Sequence, residues 1–137
     1  MILTFLALLI ACGDKETDTA ENTTENTNPY ADSPASFTEV NDELLLKSCG
    51  FSSCHGTGAG NLVLEAEGNY ERIVDVESAF TNEILVIPGD AENSYLFKKV
   101  TGADGIEGDL MAPSGAGISV LQEQMLRSWI EAGAQDN

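Results

Sequence analysis

The sequence predicts an all-α fold, a single small helical domain carried on a disordered tether. Three observations predict it. Apolar residues recur at helical spacing in several stretches, and two of these open on capping boxes, Ser36-Phe37-Thr38-Glu39 and Ser119-Val120-Leu121-Gln122. No apolar run has a neighbour with the alternating pattern of a hairpin partner. From Asp14 to Ser36 the chain has no Leu, Ile, Val, Phe or Met, too little apolar surface to offset the entropy of ordering. The expected parts are residues 1–11, 12–36 and 37–137, the last being about 100 residues and enough for one modest core.

Ile2 to Ile10 is apolar apart from Thr4, too short to span a bilayer and of the length of a signal-peptide core. Leu9-Ile10-Ala11-Cys12 resembles the lipobox of bacterial lipoproteins, although no basic residue precedes the apolar run. The resemblance implies cleavage before Cys12, diacylation of its sulfur, and, with Gly13 in place of Asp, sorting to the outer membrane. The expectation is an exported chain held at the periplasmic face of a membrane through Cys12, since two or more acyl chains make a stable anchor. The alternative is an ordinary signal peptide with Cys12 merely nearby. In the tether, Asp14, Glu16, Asp18, Glu21, Glu25 and Asp32 against Lys15 extend the chain by self-repulsion. Tyr30 reads as an incidental aromatic, and Asn22-Thr23-Thr24 as a chance match to a glycosylation sequon. A net charge of −17 with six Lys and Arg disfavours nucleic acid and anionic lipid head groups and favours basic partner surfaces.

In the domain, Phe37, Val40, Leu44 and Leu45 predict a first helix over 37–47 that delivers the chain to Cys49. Gly56-Thr57-Gly58-Ala59-Gly60 follows no clear strand and has no basic neighbour, so it reads as a loop passing close to a flat group, not as a phosphate cradle. Tyr70, Ile73 and Val74 predict a middle helix over 69–80. Ile84-Leu85-Val86-Ile87, closed by Pro88-Gly89-Asp90, reads as an extended segment, and Asn93 or Ser94 as the cap of a short helix through Val100. The last helix starts at Ser119, carries Leu121, Met125, Trp129 and Ala132 on one face with Leu126 and Ile130 beside them, and stops at Gly133.

The chemistry concentrates in Cys49-Gly50-Phe51-Ser52-Ser53-Cys54-His55. Two thiols with an imidazole directly after the second end as a c-type haem attachment site ends, and His55 is the one histidine of the chain. In that chemistry each sulfur adds to a porphyrin vinyl and the histidine is held where it can ligate iron. Four residues separate the cysteines here. On a regular helix that spacing puts them about 140° apart, so the intervening chain must bulge, which Gly50, Ser52 and Ser53 allow. An even pair of cysteines in an export compartment is also open to a Cys49–Cys54 disulfide or to metal. The disulfide would leave a haem-free helical interaction module; zinc on Cys49, Cys54 and His55 lacks an obvious fourth ligand. For a second axial ligand the candidate is the thioether of Met111, in the irregular Gly108-Asp109-Leu110-Met111-Ala112-Pro113 stretch. Met125, on the core face of the last helix, reads as gap-filling core.

The order of helix, Cys-Cys-His, Gly-rich loop, Val86-Ile87-Pro88-Gly89-Asp90 with Ser94-Tyr95-Leu96, Met111 loop, and a helix ending Trp129-Ile130-Glu131-Ala132-Gly133-Ala134 resembles the small c-type cytochrome domain, closest to planctomycete and myxobacterial forms. Ala112 stands between Met111 and Pro113, where that family has Met followed at once by Pro, and no proline follows His55. The resemblance implies a cytochrome c-like fold around one covalent haem c, joined to Cys49 and Cys54, with His55 and Met111 on the iron. It implies a carrier of single electrons between envelope redox partners, not an enzyme.

Overall fold

The computed structural model describes residues 27–112 and 117–137. The signal segment, Cys12, most of the tether and Pro113 lie outside the described residues. Helices dominate, and among the described residues β structure is limited to isolated bridges. The helical class expected from the sequence is therefore present.

Helix α1 (Phe37–Val40) starts where its capping box places it. The Ser36 hydroxyl accepts from the Glu39 N–H at 3.2 Å, and the Glu39 carboxylate accepts from the Ser36 N–H at 2.8 Å. The chain continues without a break as a π-helical segment, Asn41–Cys49. Wider winding brings i and i+5 together, so Leu44 and Cys49 share the buried side with Leu45. The Gly50 N–H donates to the Leu45 carbonyl at 2.7 Å and closes the segment. The first helix thus reaches Cys49 itself.

The middle of the chain departs from expectation. Helix α2 (Asn69–Ile73) stops after five residues, and the chain continues extended. Asp75 turns at φ 56°, and residues 74–78 line up with 83–87. The Asp75 N–H donates to the Val86 carbonyl at 3.0 Å, Leu85 N–H to Val76 at 2.7 Å, and Ser78 N–H to Glu83 at 2.8 Å. The physical reason is local: Val74-Asp75-Val76-Glu77-Ser78 alternates half-covered and exposed positions, and β-branched valines suit that pleat better than a helix. The 84–87 run is extended as expected, and its partner is the stretch assigned to helix.

Ser94 caps α3 (Tyr95–Thr101) through its backbone, not its side chain. Its buried hydroxyl accepts from the Ile87 N–H at 2.8 Å and donates to the Asp90 carbonyl at 2.7 Å, which fixes the Pro88-Gly89-Asp90 turn. Helix α4 (Val120–Glu131) carries the second capping box as expected, and Gly133 at φ 100° follows its end. Met125, Leu126, Trp129 and Ile130 form its buried face. Leu121 and Ala132, assigned to that face from periodicity, are exposed. The first turn overhangs the core, and there Gln122 meets the π-helical segment, donating to the Glu43 carbonyl at 2.8 Å and the Ser48 hydroxyl at 2.9 Å.

The first and last helices pack together. The Phe37 ring lies 5.5 Å from that of Trp129 and edge-on to Tyr70 at 5.2 Å, within the favourable range for aromatic pairs. Asn137 takes the Phe37 N–H on its side chain at 2.8 Å and the Thr38 N–H on its backbone at 3.0 Å. The packed region begins before Phe37. Ala35 is buried and donates its N–H to Ser128, and Tyr30 packs against the core, so it is not the incidental aromatic the sequence suggests. No helix among the described residues is long and apolar enough to cross a membrane.

Candidate functional site

Cys49, the last residue of the π-helical segment, is buried, and the chain leaves it by doubling back. The Cys54 and Gly56 N–H groups both donate to the Phe51 carbonyl, at 2.8 and 3.0 Å. This is the bulge that the four-residue spacing requires. It closes so tightly that a Cβ on Gly56 would stand 2.5 Å from the Gly50 carbonyl oxygen and 2.9 Å from that of Phe51. Only glycine fits there without moving backbone.

His55 opens a 3₁₀ turn (His55–Thr57), followed by a second (Ala59–Asn61). These turns bring the Leu62 carbonyl to 3.1 Å from His55 Nδ1. A carbonyl can only accept, so Nδ1 carries a proton in this contact, and in the neutral imidazole the lone pair is then on Nε2. A metal-binding histidine needs this arrangement of its outer nitrogen. The sequence could not identify the acceptor, because the contact depends on two successive turns with no side-chain signal. Gly60, at φ 68°, lies against the same ring: a Cβ there would meet His55 Cε1 at 3.3 Å. The flat group that the Gly-rich loop approaches is thus, first of all, the imidazole.

Cys49, Cys54, His55 and Met111 all line one cavity of about 500 Å³. In the sequence these four lie on two separate stretches, 49–55 and 108–113, and the fold brings them to one cavity. Leu62, Leu64, Leu85, Leu96, Val100 and Phe80 supply most of the apolar wall. The volume falls within the range of about 300–1,000 Å³ usual for small-molecule and cofactor sites. Arg72, Lys99, Glu77, Glu107 and Asp109 add charge to the lining. Arg72 is held by the Glu67 carbonyl at 2.7 Å and Asn69 Oδ1 at 3.2 Å, and Asn69 in turn donates to Asn41 at 2.8 Å. That network ties α2 to the π-helical segment. Among the described residues no buried side-chain nitrogen or oxygen lacks a partner.

The two thiols differ. Both are free, Cys49 buried and Cys54 half-buried. Burial, and after it the negative charge Cys54 can carry, push the Cys49 thiol up to about 11, so it stays protonated at neutral pH. Met111, partly buried against the core, is fixed by its N–H, which donates to the Lys99 carbonyl at 3.1 Å. Met125 is core, as expected. No three His, Cys, Asp or Glu side chains among the described residues are grouped to hold a metal ion by themselves.

The lining combines soft sulfur and imidazole donors with apolar side chains. The cavity offers two thiols, an imidazole, a thioether sulfur and a largely apolar wall. No protein-family model, curated protein or solved structure matches the chain.

Proposed function

We propose that this chain is a monohaem c-type cytochrome of the bacterial envelope, a lipoprotein that passes single electrons between partner proteins. One observation carries the reading: the sole histidine, its Nδ1 held by Leu62 and its Nε2 left available, shares an apolar cavity with Cys49, Cys54 and Met111. A haem held there supplies an iron that cycles between two oxidation states one electron apart.

The chain's residues have separate tasks. Cys49 and Cys54 would hold a haem covalently: each thiol could add S and H across a vinyl group, an S–H bond and a C=C π bond being replaced by S–C and C–H with no oxidant consumed. His55 would hold the iron through its Nε2 lone pair, and the Leu62 carbonyl, bonded to Nδ1, orients the ring and would make the imidazole a stronger donor. Met111 would offer its sulfur, a ligand type that raises the reduction potential. Leu62, Leu64, Leu85, Leu96 and Val100 give the site an apolar wall, which would favour the less charged, reduced state. With His55 and Met111 both holding the iron, no place would be left for a substrate, and the reading is of a carrier, not an enzyme. Cys12 carries the lipid, and the acidic tether holds the domain off the membrane.

The reading is tested on protein made with a haem-attachment system. A reversible one-electron couple is expected, with negligible peroxide turnover that appears once Met111→Ala opens a coordination place. Peroxide turnover by the native protein as fast as by the variant would make it an enzyme.

A further inference from the structure

We infer that Tyr95 and Lys99, side chains that neither the haem motif nor the ligand set uses, are positioning residues for Met111. The inference rests on the proposed haem reading and concerns how the weakest ligand of the set is kept in place. Tyr95 and Lys99 stand four residues apart on α3, hence on one face, and both line the cavity with Met111. Between them they grip both backbone groups of a single residue, Glu107. Its N–H donates to Tyr95 Oη at 3.1 Å, and its carbonyl accepts from Lys99 Nζ. Four residues on, the Met111 N–H donates to the Lys99 carbonyl at 3.1 Å. Leu110 packs on the end of the same helix, its Cδ1 at 3.2 Å from where a Cβ on Gly102 would stand.

Residues 107–111 have no helix or strand of their own, so their position is set by α3. Tyr95 is buried. Lys98, next along the helix, points elsewhere and pairs with Glu83 at 2.6 Å. The clamp is therefore specific to one of two adjacent lysines. A thioether sulfur is a neutral, weak donor and stays on a metal mainly because its segment cannot leave. Anchoring that segment raises the local concentration of the sulfur, and releasing it lets an outside ligand compete.

The test is displacement of Met111 by added imidazole in the oxidised haem-loaded protein, followed by the thioether-to-iron absorption band. Lys99→Met and Tyr95→Phe are each expected to lower the imidazole concentration for half-displacement about three- to tenfold, the effect of one lost hydrogen bond. Lys99→Arg should restore the native value. Lys98→Met, with the same charge change on the same helix, should leave it unchanged. The inference is overturned if Lys99→Met and Tyr95→Phe both match the native protein, or if Lys98→Met shifts it as far. A separate failure is recognisable: if native protein and Met111→Ala take up imidazole at the same concentration, Met111 is not a ligand and the underlying ligand set falls as well.

Discussion

A histidine that is to ligate iron must offer one unprotonated nitrogen, and the Leu62 carbonyl 3.1 Å from Nδ1 decides which one His55 offers. The residue types at the site were legible: two thiols, one imidazole and a loop methionine stand out in a chain with three Cys, one His and three Met. Their partners were not, because Leu62, Gly56 and Gly60 act through backbone geometry that no side-chain pattern encodes. Gly56 gives the sharpest prediction at this scale. A methyl group there meets two carbonyl oxygens at 2.5 and 2.9 Å, so Gly56→Ala should lower stability by about 1–3 kcal/mol in denaturant titration. Cys49 gives a second. Its thiol is pushed from an ordinary 9.0 to about 11 in the fold, so between those values an unfolded chain has lost the proton that the folded chain keeps. The Cys49 contribution to the stability of the haem-free chain is fully present below pH 9.0 and is lost as pH rises through about 11, by on the order of 3 kcal/mol. Once its sulfur is a thioether, Cys49 has no proton to lose, and urea midpoints measured across that window should lose the Cys49 step.

Among the elements, those that announce themselves by caps came out where expected. Ser36 and Ser119 begin α1 and α4 because each satisfies a free N–H and is answered by the residue three places on. Ser119→Ala should therefore cost about 1 kcal/mol, seen as a lower melting temperature. The middle of the chain was harder to read. Tyr70, Ile73 and Val74 satisfy a helical period, yet Val74, Val76 and Ser78 satisfy a two-residue period as well, and the bridges to 83–87 settle the competition. Such a choice rests on a partner distant in sequence. The π-helical winding of Asn41–Cys49 has no signature in periodicity either, though it places Cys49 on the cavity wall. Asn69 joins these two regions through Asn41, Arg72 and Glu65. Asn69→Leu leaves those partners unsatisfied, and a loss of about 1–3 kcal/mol is expected in the same titration.

Over the whole molecule, charge and cavity act together. A net charge of −17 sets up a field that draws in basic surfaces over distances that salt shortens. On the proposed reading, electron transfer to a basic partner should slow steeply as ionic strength rises, and a rate indifferent to salt would count against electrostatic docking. The exposed Phe80, 64% accessible and at the cavity wall, marks where the site approaches the surface. The proposed function depends on a haem being attached. The direct measurement is to express the full chain with a haem-attachment system, denature it, and determine the mass of the peptide that holds residues 49–55. The account predicts that colour stays with the denatured chain and that this peptide carries one porphyrin on its two sulfurs. A colourless, fully folded protein whose peptide is lighter by two hydrogens, Cys49 joined to Cys54, would contradict it.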